Sequence, residues 1–106
     1  MDTRDRPVYI ISVAADLVKM HPQTLRLYER RGLVVPKRQG KNRLYSQHDI
    51  DRLLAIQKLT QELGINLAGV ELITQLQHQL EDMRQDLTDK VRMLQQRIAE
   101  ATREVD

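Results

Sequence analysis

Seven cationic side chains lie between Arg26 and Arg43, namely Arg26, Arg30, Arg31, Lys37, Arg38, Lys41 and Arg43, with Glu29 the one acid among them. The chain shows no nucleophile–base pair, no paired carboxylate set and no phosphate-cradling glycine loop, so an enzyme is not expected and the chemistry on offer is electrostatic. Guanidinium and ammonium groups at this density suit a polyanionic partner. The net charge of the whole chain is only +2, so the excess belongs to this stretch. Residues 1–45 hold ten bases and four acids, whereas residues 46–106 hold seven bases and eleven acids. A basic front and an acidic rear fit a protein whose front meets nucleic acid while its rear meets protein or solvent.

Composition narrows the remaining classes. A chain of 106 residues with 41% apolar content and no apolar run of about 18 residues makes roughly one soluble domain and no membrane span. Val8 to Val18 is broken by Tyr9, Ser12 and Asp16, so no export signal is read there, and a cytoplasmic location is expected. The absence of cysteine removes disulfides and thiolate metal sites, and His21, His48 and His78 are too far apart in sequence to suggest a cluster. No metal or cofactor is expected.

The elements that must position the basic residues can be read in order. Residues 1–7 are polar and end in proline, which reads as a frayed arm. Val8 to Ile11 is a short strand, and Ser12 is placed to cap a first helix ending near Met20, with Val13 and Leu17 at helical spacing and Ala14 and Ala15 allowing close approach. Pro22 suits the first position of a second helix, about Pro22 to Arg31, stopped by Gly32. At 100° per residue Leu25, Tyr28 and Glu29 share one side, of which Leu25 and Tyr28 pack inward. Gln23, Arg26, Leu27 and Arg30 project outward, a set suited to phosphates, base edges and thymine methyls in a major groove. Two short helices joined tightly also occur in proteins that never touch DNA. The segment after Gly32 strengthens the DNA-binding reading: Leu33 to Pro36 and Asn42 to Tyr45 are strand candidates flanking a basic loop, so Lys37, Arg38, Lys41 and Arg43 would sit on a wing and meet phosphates.

Ser46 and Asp49 form a capping-box pattern for a third helix reaching Leu63, with Tyr45 and Ile50 as a hydrophobic staple and Ile50, Leu53, Leu54, Ile56 and Leu59 on its buried stripe. Gly64 ends it, and Asn66 caps a fourth, with Ile65 and Val70 as staple and Leu67, Val70, Ile73 and Leu76 inward. From Leu76 the apolar residues thin to a stripe, Leu76, Leu80, Met83, Leu87, Val91, Leu94, Ile98, Ala101 and Val105, at steps of four and three. Successive steps of four around Leu87 make a stutter in an otherwise coiled-coil seam. So narrow a stripe calls for a second chain, or for folding back onto its own domain. The domains expected are residues 1–75, a DNA-binding unit, and 76–106, a dimerisation helix whose interface holds Leu80, Met83, Leu87, Val91, Leu94 and Ile98.

Thr24, Leu25, Arg26, Tyr28, Glu29, Gly32, Leu33, Pro36 and Arg38, followed by Gly40, Arg43, Leu44, Tyr45 and Ser46, fall at a spacing similar to the MerR family of bacterial transcription regulators. The resemblance runs from residue 8 to about 76, and within the family it points to the heat-shock repressors. It implies a mainly α fold: a winged helix-turn-helix with a β-hairpin wing, then a long helix pairing in an antiparallel coiled coil. It implies contacts to double-stranded DNA from Thr24, Arg26 and Tyr28 on the recognition helix and from Arg38, Arg43 and Tyr45 on the wing. Leu27 departs from the pattern, since many relatives carry an aromatic there. The expected protein is a homodimeric repressor on an inverted-repeat operator. With no cysteines and no ligand domain in view, its signal is expected to be a protein or temperature itself; the heat-shock resemblance implies the DnaK chaperone as that protein, acting as co-repressor. The alternative is an adaptor that binds nucleic acid without sequence preference and recruits a partner through its coiled coil.

Overall fold

The computed structural model describes residues 3–105. After a single 3-10 turn at Thr3–Asp5, the elements run β1 (Tyr9–Ile10), α1 (Ile11–Val18), α2 (Pro22–Arg30), β2 (Lys37–Gln39), β3 (Asn42–Tyr45), α3 (Gln47–Gln57), a π turn (Lys58–Glu62) and α4 (Leu67–Val105). The chain divides into two units between Glu71 and Leu72, inside α4. No described helix is long and apolar enough to cross a membrane.

The first unit is built on a small core. Ala14, Ala15 and Val18 of α1, Leu25 and Tyr28 of α2, Tyr45 of β3, Ile50, Leu53 and Ile56 of α3 and Val70 of α4 are buried together with Leu33 and Val34. On α1 the expected spacing of four residues holds but its phase is different: Ala14, Ala15 and Val18 face the core while Val13 and Leu17 are exposed. Small side chains on the inner face let α2 and α3 come close. Ser12 is not the cap, because β1 runs directly into the helix and Ile10 occupies the capping position without a side-chain bond. The helix ends at Lys19, which takes a left-handed conformation at φ 55°, and the Met20 amide donates to the Ala15 carbonyl at 3.0 Å. That closure satisfies the orphan carbonyls of the last turn.

α2 begins as its sequence requires, with Pro22 in the first turn, and His21 adds a cap: its Nδ1 accepts from the Gln23 amide at 3.0 Å. Gly32, at φ 73°, closes the far end. The strand expected at Leu33 to Pro36 is instead an irregular connection. Leu33 and Val34 are buried in succession, which a strand with alternating faces cannot do, and Val35 is then 80% exposed. The Leu33 carbonyl accepts from the Arg52 side chain, anchoring this connection to α3. The strand forms two residues later, on Lys37–Gln39, so the hairpin loop shrinks to Gly40 and Lys41. Gly40 takes φ 61° at the first loop position, the placement of a tight II′-like reversal. The sheet has the order β1-β3-β2, entirely antiparallel.

Ser46 and Asp49 make the full capping box at the start of α3, with the Asp49 amide on Ser46 Oγ at 3.1 Å and the Ser46 amide on Asp49 Oδ2 at 2.9 Å. Tyr45 and Ile50, the staple pair, both lie in the core, but Leu54 is exposed. The α-helical bonding stops at Gln57. Thr60 Oγ1 donates to the carbonyls of Ile56 and Gln57 at 3.1 and 3.2 Å, and the chain widens into π bonding, with the Leu63 amide reaching back to Lys58 at 3.2 Å. Gly64 closes the segment at φ 67°. Asn66 then caps α4 through a 2.8 Å bond from the Gly69 amide. Ile65 lies against Gly69 so closely that a β-carbon there would sit 2.7 Å from its Cγ2.

The second unit is the remainder of α4. Leu76 is exposed here, not inward as the periodicity suggested, and the large apolar residues that follow it are exposed as well.

Candidate nucleic-acid interface

Two elements carry the cationic residues, and the fold brings them side by side. On α2, Gln23 and Arg30 are exposed, while Thr24 and Arg26 are half-buried. Leu27, expected to project outward, packs partly against the core. On the hairpin, Lys37, Arg38 and Lys41 are exposed, Lys41 at the tip. Arg31 pairs with Glu71 at 2.8 Å.

Glu29 joins the two elements. Its Oε1 accepts from Arg38 Nη2 at 3.2 Å and its Oε2 accepts from Arg43 Nε. The side chains of Glu29 and Arg43 are 18% and 22% exposed, against 56% for Arg38, so the inner pair is partly shielded from solvent. Arg43 thus serves first as a structural link and only secondarily as a surface cation. The sequence places Glu29 on the Leu25 and Tyr28 side of α2 and among the residues of the family spacing, but does not assign it these partners. The signal was there, since a lone acid inside a basic stretch is the natural partner for its neighbours.

The two tyrosines expected to touch DNA belong to the interior. Tyr28 packs in the core with 8% of its surface exposed, and Tyr45 has none exposed. The expectation of a wing contact from the Tyr45 side chain is therefore corrected: β3 turns it inward against α1 and α3. Its hydroxyl has no hydrogen-bond partner among the described residues. Burial raises the Tyr45 phenol above its ordinary range, an effect that Glu29 and Asp49 reinforce and Arg43 and Arg26 oppose.

Along the second unit, Leu80, Met83, Leu87, Val91, Leu94 and Ile98 are all exposed in the single chain. Their side chains recur at the spacing of one helical face, and the neighbouring positions carry charges, including an Arg84–Glu81 pair at 2.6 Å.

Two short helices joined by a tight turn, with a basic antiparallel hairpin following the second, define a winged helix-turn-helix. The chain belongs to the MerR HTH family of regulatory proteins, whose pattern matches residues 9–77. It is 52% identical over 82 residues to a Streptomyces coelicolor protein that carries the name heat shock protein HspR, covering 76% of this chain and 54% of that one. It is 37% identical over 73 residues to the HTH-type transcriptional regulator GlnR of Bacillus anthracis and to that of Bacillus cereus, covering 68% of this chain and 56% of each. The chain thus spans about half the length of the curated relatives it matches. Its fold is similar to that of the transcription regulator PbrR691 from Ralstonia metallidurans CH34, solved in complex with lead(II), at a TM-score of 0.58 and 20% identity, covering 92% of this chain and 82% of that one. The last likeness is one of fold alone.

Proposed function

We propose that this chain is a DNA-binding transcriptional repressor of the heat-shock type, acting as a homodimer on an inverted repeat. The observation that carries the reading is the joined basic surface of α2 and the wing, held together through Glu29. α2 would enter the major groove, with Gln23, Thr24, Arg26 and Arg30 reaching phosphates and base edges, while Arg38, Lys41 and Arg43 meet the backbone from the wing. Tyr28, largely buried, would contribute at most its rim, chiefly by bracing α2. Pairing of the apolar face of α4 with a second copy, as an antiparallel coiled coil, would set two such surfaces at a fixed distance, and a two-fold protein reads a two-fold site. The 52% identity to a protein named HspR favours the heat-shock assignment over other regulators of the family. In that reading DnaK is a co-repressor that binds the DNA-competent state better and so tightens operator binding.

Selection of genomic fragments by the purified protein, followed by competition with random duplex, tests the core of the proposal. Specific readout survives a large excess of random DNA. Loss of all binding under that competition would instead favour the adaptor, in which the front binds by charge alone and α4 recruits another protein. Gel shifts with added DnaK test the regulatory part: unchanged operator affinity with DnaK, together with reversible release on modest heating, would make the protein its own thermometer.

A further inference from the structure

Arg38 and Arg43 stand directly opposite one another in the β2–β3 register. Like charges in that position repel and weaken the pairing of the wing unless a third charge intervenes. Glu29 supplies it from α2, with one oxygen on each arginine. A guanidinium has five N–H donors, and each of these arginines spends only one on Glu29, so each keeps donors for a second anion. The trio carries a net charge of +1 rather than the +2 of its two arginines, and it ties the wing to the helix that precedes it.

Building on the DNA-binding reading above, we propose that Glu29 is a positioning residue that sets the protein's discrimination between its operator and random DNA. It fixes the angle between α2 and the wing, so that both engage fully only on a duplex that suits α2. It also cancels one wing charge, which weakens binding to phosphate alone. Affinity for random sequence is thereby held down while the geometry for the operator is preset.

The test is Glu29→Gln, nearly isosteric and uncharged, with folding checked by circular dichroism and thermal melting. Restoring one uncompensated cation should steepen the log–log salt dependence of random-duplex binding by about one unit, and raise that affinity about five- to tenfold near 0.1 M salt. The operator-to-random ratio should fall by at least the same factor. A folded variant with unchanged salt slope and unchanged ratio overturns the proposal. A purely structural role would lower stability and leave the slope alone. A second measurement needs no variant: in nitrogen-labelled wild-type protein the Arg43 Nε–H should exchange slowly with water, both free and on random duplex. Rapid exchange in the free protein also overturns the proposal. If wild-type protein itself fails to prefer the selected fragments over random duplex, the repressor reading fails instead, and the two failures are told apart by that control.

Discussion

Replacing Tyr45 by phenylalanine removes one oxygen that sits in the core without a hydrogen-bond partner among the described residues. Burying a hydroxyl unsatisfied costs about 1–3 kcal/mol, and the ring, which supplies the packing, is retained. The expected result is a gain of about 1 kcal/mol, or a rise in Tm of about 4–8 °C for a unit of this size. Chemical and thermal unfolding of the full chain at neutral pH measure it. The pH dependence has a definite sign, because the folded state holds the phenol above its ordinary value near pH 10. Stability is fully present below the unfolded pKa and is lost as pH rises through the folded one, so wild-type protein should weaken in strong alkali and Tyr45→Phe should weaken less. Because the side chain is interior, DNA affinity at neutral pH should be unchanged. A loss of about 1 kcal/mol or more refutes this reasoning by showing that the hydroxyl is hydrogen-bonded within the fold, and a drop in DNA affinity at equal stability refutes it by returning the hydroxyl to the wing as a working contact.

Leu87, 64% exposed in the single chain, sits mid-seam; Leu87→Ala should weaken pairing by roughly 1–2 kcal/mol per chain and Leu87→Lys should give monomers in sedimentation with loss of operator binding, whereas a stable dimer would move the interface elsewhere. Arg26→Ala and Gln23→Ala should change sequence preference by about 1–3 kcal/mol at the affected base pair, scored by selection on randomised operators; equal losses on random duplex would show that these residues only position the helix. Gly69→Ala should destabilise the first unit despite alanine's better helix propensity, because its β-carbon would meet Ile65 Cγ2 at 2.7 Å; a gain on unfolding in urea would show that Ile65 moves aside freely.

Where local chemistry decides an element, the sequence was readable. Ser46 with Asp49, Asn66 before α4 and Pro22 at the head of α2 all stand in the structure where capping and proline rules put them. The mainly helical fold with a small sheet and a long last helix, and the family it belongs to, were legible too. What misled were places where tertiary packing overrides a local pattern. On α1 the alanines lie at the helix contact as expected of them, but Val18, rather than Val13 and Leu17, is the larger group that joins them in the core. At Leu33 and Val34 an apolar run looked like a strand, but both residues plug the core from a loop, and the ladder begins at Lys37. Thr60 redirected the end of the third helix through a side-chain bond that competes with the backbone. For the candidate site, which residues are basic was plain, but which of them are already engaged was not. Arg31 with Glu71 lies 40 residues apart in sequence, and the Glu29 bridge depends on a hairpin register that only the fold provides.

The exposed apolar face of α4 bears on dosage. On the dimer reading, a lone chain presents Leu80 through Ile98 to water and holds only half of an operator-binding surface. Where pairing is weak relative to the amount of protein in the cell, occupancy of the regulated site rises with the square of chain concentration instead of in proportion to it. A twofold fall in supply then empties the site about fourfold in the dilute limit, so synthesis and degradation of this one chain become controls in their own right.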